Sequence, residues 1–237
     1  MVEATMTAER VQAVASTGIK TRTKVLLVDD HPILRQGVAR LIAAQDDMVV
    51  CGEAEDCESA MALAEKELPD VAVVDLTLKN GNGVDLTRSL LARWPKLGVL
   101  VLSMRDDPFY AERAFRAGAR GYVTKGEPCE QLLDGIRQVL AGDVFVGEQM
   151  AGRMVDKIVG GKGNGRLQSV ERLSERELEV FELIGRGIPT REIAAKLKLS
   201  VKTVDAHREN IKGKLKLKNA IELIRTAIQW VEFQHGS

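Results

Sequence analysis

Five short, continuous apolar runs separated by amphipathic helical segments limit what this chain can fold into. The runs are Lys24-Val-Leu-Leu-Val28, Met48-Val-Val-Cys51, Val71-Ala-Val-Val74, Leu97 to Leu102 and Gly121-Tyr-Val123. After Pro32, residues Ile33, Leu34, Val38, Leu41 and Ile42 recur at helical spacing, and Ser59 to Leu68 repeats that pattern. A strand that is apolar at every position must be covered on both faces, which happens when helices cross between parallel strands. The expected fold over residues 23–142 is therefore a doubly wound α/β domain around a five-stranded parallel sheet, with function gathered at the carboxyl ends of the strands.

Strand signals stop beyond this region. Glu148 to Val159 reads as a helix able to pack on either half of the chain, and Gly160-Gly-Lys-Gly-Asn-Gly165 is the clearest linker. Ser174-Glu-Arg-Glu177 fits a capping box, in which serine and glutamate side chains satisfy the open amides of a first turn. Leu178, Phe181 and Ile184 follow on one face. Pro189 opens a second helix with Ile193, Ala194 and Leu197, and Ser200 caps a third. Asn219 to Trp230 is a fourth, with Ile221, Ile224, Ile228 and Val231 as its apolar repeat. The expected organisation is a tail over 1–22 (frayed or a short helix), the α/β domain over 23–142, a partly helical then Gly-rich linker over 143–171, and a small four-helix domain over 172–237.

Charge divides along the same boundary. From Arg172 onward there are 13 Lys and Arg against 9 Asp and Glu, a net +4, while the rest carries 21 against 25, a net −4. The chain is neutral overall, so the asymmetry is a weak pointer to a polyanionic partner for the second domain. No apolar run approaches the roughly 18–20 residues that span a bilayer, and no secretory signal is visible. Three cysteines without metal spacing (Cys51, Cys57, Cys129) read as reduced thiols. A cytoplasmic protein without a membrane partner is expected.

Asp29, Asp30, Asp75, Ser103 and Lys125 each fall at or just past the end of an expected strand. In a doubly wound sheet these ends meet at one rim. Three neighbouring carboxylates repel unless a cation lies among them, and hard oxygen ligands with room for water suit Mg²⁺. A carboxylate neutralised in this way beside a lysine can attack a phosphoryl group, with a hydroxyl and an ammonium to bind the phosphoryl oxygens. Any one of these five residues alone is more simply a loop residue; five in order, on five alternating units, leave that reading little room. The nucleophile motif of aspartate-based phosphatases also requires a second Asp two residues on, where this chain has Thr77, so an enzyme is not expected.

Val28-Asp29-Asp30-His31-Pro32, Val74-Asp75-Leu76, Leu102-Ser103-Met104 and Gly121-Tyr-Val-Thr-Lys125 resemble the response-regulator receiver family, whose fold is flavodoxin-like. The resemblance implies that Asp75 is the phosphoacceptor, charged by a sensor histidine kinase. It implies that Asp30, Asp75 and the Thr77 carbonyl bind Mg²⁺, with Asp29 acting through water. Ser103 and Lys125 would read the phosphate, and Tyr122 would be the aromatic that turns inward on activation and promotes a homodimer. The family usually has proline four residues past the phosphoacceptor, where this chain has Lys79, which bears on loop rigidity and phosphate lifetime. A receiver that switches partners without phosphate is the rival reading.

In the second domain, the Leu197-to-Val201 turn sets the second and third helices as a helix-turn-helix. Val204, Ile211 and Leu215 form the inner face of the third. Lys202, Thr203, Lys212 and Lys214 flank it, where cations and hydroxyls grip phosphates. Asp205, Ala206 and Glu209 share a face expected to enter the major groove; pairing of Asp205 and Glu209 with Arg208 or Lys212 is the alternative. A helical dimerisation module competes with DNA binding on pattern alone. Leu173-Ser-Glu-Arg-Glu177, Glu192-Ile-Ala-Ala195 and Thr203-Val204 with His207 resemble the LuxR-type helix-turn-helix; for His207, packing or a backbone contact are equal readings. Together the two halves resemble the NarL/FixJ class of response regulators, which implies double-stranded promoter DNA as partner and admits RNA polymerase as another.

Overall fold

The computed structural model describes residues 22–78, 81–160 and 168–235. Lys79, most of the expected tail and most of the glycine-rich linker lie outside them.

Strands β1 (Thr23–Val28), β2 (Met48–Ala54) and β3 (Val71–Val74) lead to a two-residue hairpin, β4 (Thr77–Leu78) and β5 (Gly81–Asn82). β6 (Gly98–Ser103), β7 (Gly121–Thr124) and β8 (Phe145–Val146) complete the strands. The main sheet has the order β2-β1-β3-β6-β7-β8, and every pairing is parallel. Five strands were expected and six are present. β8 joins β7 through Gly121↔Phe145 and Tyr122↔Val146, and two residues are too few to carry a periodic signal.

Alternation along each strand explains the continuous apolar runs. Val25, Leu27, Val71, Val73 and Leu100 point to the face covered by helices α1 (Pro32–Ala43) and, after the intervening helices, α5 (Cys129–Ala141). Leu26, Val28, Ala72, Val74 and Val99 point to the other face, under α2 (Cys57–Glu67), α3 (Gly83–Arg93) and α4 (Pro108–Arg116). Each fully buried Val or Leu contributes about 1.5–3 kcal/mol. Helices α2, α3 and α4 begin where a side chain supplies a cap. Asp56 accepts from the Ser59 amide, Asn82 from Val84 and Asp107 from Phe109.

Gly83 is a packing requirement, because a Cβ there would lie 2.0 Å from the Asp75 carbonyl oxygen. Backbone cannot yield as a side chain tip does, so Gly83→Ala is expected to cost about 3 kcal/mol or more. Urea unfolding followed by circular dichroism measures it, and an unchanged midpoint would refute the packing argument.

Helix α6 (Glu148–Gly160) packs on the sheet domain, against α4 and β7. Met150 is fully buried, and Lys157 and Arg153 pair with Glu112 at 2.6 Å and Asp106 at 2.9 Å.

After a 3-10 turn (Gln168–Arg172) come α7 (Glu175–Gly185), α8 (Thr190–Lys196), α9 (Val201–Leu215) and α10 (Ala220–His235). The capping box at Ser174 and Glu177 is formed, and Ser200 caps α9. The inner face of α9 is Val204, Ile211 and Leu215, as its spacing predicts. On α10 the expected apolar repeat is met only in part, by Val231, which packs against the core. Ile221, Ile224 and Ile228 are exposed, while Leu223, Ala227 and Trp230 fill the core. The helix has two apolar faces, and the one with larger aromatic and smaller alanine side chains fits against α7, where Gly185 approaches the Ala227 carbonyl.

Candidate functional site

The carboxyl ends of β1, β3, β6 and β7 bring Asp29, Asp30, Asp75, Ser103 and Lys125 to one rim. Ligand-capable atoms of Asp29, Asp30, His31 and Asp75 all lie within 4.8 Å of one another. Lys125 Nζ is 2.8 Å from both Asp29 and Asp75, and its side chain is as buried as that of Asp75. The amide of Thr77 donates to Asp75 Oδ1 at 3.2 Å. Burial pushes the Asp75 carboxyl above its ordinary value, and Lys125 and the Thr77 amide pull the other way.

Asp30 Oδ1 is buried, lies 2.8 Å from His31 Nδ1, and still receives no hydrogen bond. A carboxylate oxygen without a hydrogen bond, among three clustered carboxylates, is what a hard divalent cation would satisfy, so the residues fit Mg²⁺. Sequence reasoning gave His31 no role, although its ring faces Asp29 and Asp30.

Ser103 and Tyr122 meet at one residue that the sequence did not single out. The Arg105 amide donates to Ser103 Oγ at 3.1 Å, and the Tyr122 hydroxyl donates to the Arg105 carbonyl at 2.6 Å. Tyr122 is fully buried. Burial raises its hydroxyl pKa.

On α9, Lys202, Asp205, Ala206 and Glu209 are exposed, and Thr203 and His207 are half-buried. Glu209 pairs with Lys212 at 2.9 Å, and Arg208 donates to Thr190 at 2.9 Å. Lys214 turns back onto α7 and pairs with Glu177 at 2.5 Å. Burial opposes ionisation of Glu177, but Lys214 and Ser174 outweigh it and hold the carboxyl below its usual range.

Residues 25–137 match the response regulator receiver domain, and residues 171–227 match the bacterial regulatory proteins of the luxR family. The oxygen regulatory protein NreC of Staphylococcus carnosus is 37% identical over 210 residues, 87% of this chain and 97% of that protein. This chain belongs to the response regulators of the NarL/FixJ class. Among solved structures, a LuxR-family response regulator from Aurantimonas shares 34% identity over 59% of this chain and 99% of its own, with a TM-score of 0.57. RcsB from Salmonella enterica serovar Typhimurium, bound to a promoter in the presence of the phosphomimetic BeF3-, shares 26% identity over 88% of this chain and 100% of its own, with a TM-score of 0.61. No helix among the described residues is long and apolar enough to cross a membrane.

The two domains of this response regulator are docked through an acidic stripe on α7. Glu175, Glu179 and Glu182 occupy positions i, i+4 and i+7 of one helical face. Glu175 takes two hydrogen bonds from Arg113, Glu179 takes one from Asn82, and Glu182 takes Arg105 at 2.7 Å together with the Tyr110 hydroxyl. Phe109 meets Trp230 edge to face, with centroids 4.9 Å apart. The heptad-like spacing of the three glutamates was readable in the sequence, but a charged face on a capped helix is ordinarily solvated.

Proposed function

We propose that this response regulator accepts a phosphoryl group on Asp75 from a histidine kinase and so controls sequence-specific promoter binding through α9. The observation that carries this reading is the buried Asp29–Asp75–Lys125 cluster beside Ser103, on the same chain as a recognition helix with its outer face open. Asp30, Asp75 and the Thr77 carbonyl would hold Mg²⁺, with Asp29 acting through water. When bound, the ion offsets the charge of the carboxylates and the incoming phosphoryl oxygens.

The chain's own groups do the rest. A carboxylate oxygen of Asp75 forms the new P–O bond as the donor's P–N bond to histidine breaks. Lys125, already on Asp75, shifts its ammonium onto a phosphoryl oxygen, and Ser103 donates its hydroxyl proton to another. Arg105, tied by its backbone to Ser103 and Tyr122 and by its guanidinium to Glu182, links that shift to the DNA-binding domain. Acetyl phosphate with Mg²⁺ should add one phosphoryl mass per chain; a wild-type protein that takes none would favour a phosphate-independent receiver.

A two-fold DNA site calls for two copies. The exposed Ile221, Ile224 and Ile228 of α10 support pairing with a second copy, as a contiguous apolar stripe would if buried between protomers.

The residues of α9 divide into those that grip and those that read. Lys202→Ala should weaken all sequences alike and reduce the salt slope by about one unit. Lys214→Ala should change the slope less, because its ammonium already belongs to Glu177. Asp205→Ala should relax base preference by about 1–3 kcal/mol. Selection from a random oligonucleotide pool decides this: identical motifs from wild type and variant mean that Asp205 does not read bases.

A further inference from the structure

We infer that Glu179, a residue of the DNA-binding domain, is a positioning residue for phosphoryl transfer at Asp75. The inference rests on the assignment of Asp75 as phosphoacceptor and goes beyond it, because it makes the second domain part of the first domain's chemistry.

Three contacts join the two residues. Glu179 Oε1 accepts from Asn82 Nδ2 at 3.2 Å. Asn82 is the cross-strand partner of Thr77 in the β4/β5 hairpin. The Thr77 amide donates to Asp75 Oδ1 at 3.2 Å. Asn82 also fixes the start of α3, its Oδ1 accepting from the Val84 amide at 2.8 Å. Both polar ends of the Asn82 side chain are thus committed, one to its own helix and one to the other domain. The next residue, Gly83, lies directly under the Asp75 carbonyl. Any freedom at Asn82 is therefore passed to the backbone on either side of the acceptor.

Glu179 is well placed to act as a fixed post. Its second oxygen takes Arg176 Nη1 at 2.7 Å, so the carboxylate cannot rotate without breaking an ion pair. Burial raises its pKa, against the hydrogen bonds from Arg176 and Asn82. The site lies in a groove of about 390 Å³ that runs from Asp30, Thr77 and Asn82 to Glu179 and Arg176. This hairpin is short, two residues in each strand, and an isolated hairpin of that size holds little shape of its own. Restraint from outside is what keeps the Thr77 carbonyl, a proposed metal ligand, in register with Asp75.

The test uses the full chain, acetyl phosphate as donor and a Mg²⁺ titration. Glu179→Ala should slow phosphorylation of Asp75 about tenfold, the scale of one hydrogen bond to a charged group, and should raise the Mg²⁺ concentration needed for half-maximal rate. Glu179→Gln keeps the acceptor oxygen toward Asn82 and should recover most of the wild-type rate. Arg116→Gln removes an exposed pair with Glu171 across the same interface without touching Asn82 and should leave the rate near wild type. Equal rates in wild type and Glu179→Ala would overturn the inference while leaving Asp75 as acceptor. An equal loss in Arg116→Gln would also overturn it, by assigning the effect to docking in general. A wild type that is never labelled would instead remove the reading on which the inference rests.

Discussion

Asp75→Asn should take up no phosphoryl group from acetyl phosphate, reducing incorporation to the background of a chelated control. The amide oxygen is a far weaker nucleophile, and Lys125 loses one of the two carboxylates it bridges at 2.8 Å. Asp30→Ala should be silent as well, for a different reason: the acceptor remains but the orphaned oxygen that would meet the metal is gone. Intact mass spectrometry reads both. Labelling of Asp75→Asn at the wild-type level would sink the assignment, and labelling of Asp30→Ala without added Mg²⁺ dependence would remove Asp30 from the metal site.

The second large effect concerns the docked arrangement. Arg113 and Glu175 are both buried, and their guanidinium and carboxylate meet at 2.6 Å and 2.9 Å while Arg113 also caps the Leu173 carbonyl at 2.7 Å. A buried pair of this kind adds little over a well-packed apolar pair, but removing one partner leaves an uncompensated charge and costs about 3–5 kcal/mol. Among the described residues, Arg113→Ala leaves Glu175 with Arg88, at 3.7 Å. The expected result is release of the two domains from each other rather than loss of either fold. Small-angle scattering should show a larger radius of gyration with circular dichroism unchanged; the wild-type radius in the variant would mean that the remaining contacts suffice.

How much of this was legible in the sequence depends on how locally each feature is encoded. The five longer strands were visible because two-sided burial makes every position apolar, and Asp29, Asp75, Ser103 and Lys125 were visible because they interrupt those runs at their ends. The acid cluster followed from topology alone. β8 was not visible, since Phe145 and Val146 are a strand only by virtue of β7 beside them. The face of α10 was misjudged because Ile221, Ile224 and Ile228 are as apolar as the residues that pack, and only the shape of α7 chooses between them. Lys214 was assigned to phosphate because its partner, Glu177, is 37 residues away and belongs to another helix. Arg105 and the glutamates of α7 were passed over for the same reason: a docked interface is written in two distant segments, neither of which is unusual by itself.

The open outer face of α9 has a thermodynamic consequence. Asp205, Ala206 and Glu209 stay exposed while α7 and α10 are held against the receiver. A duplex whose contacts are confined to that face binds the docked and the released chain with the same free energy. A ligand with equal affinity for two states shifts no population between them, however tightly it binds. DNA of that kind would therefore report on the sequence it carries and not on the phosphorylation state of the protein. Any coupling between phosphate and promoter must arise from contacts that differ between the two arrangements, and among the described residues the candidates lie off the recognition helix, where a second protomer or the flanking duplex would meet α10.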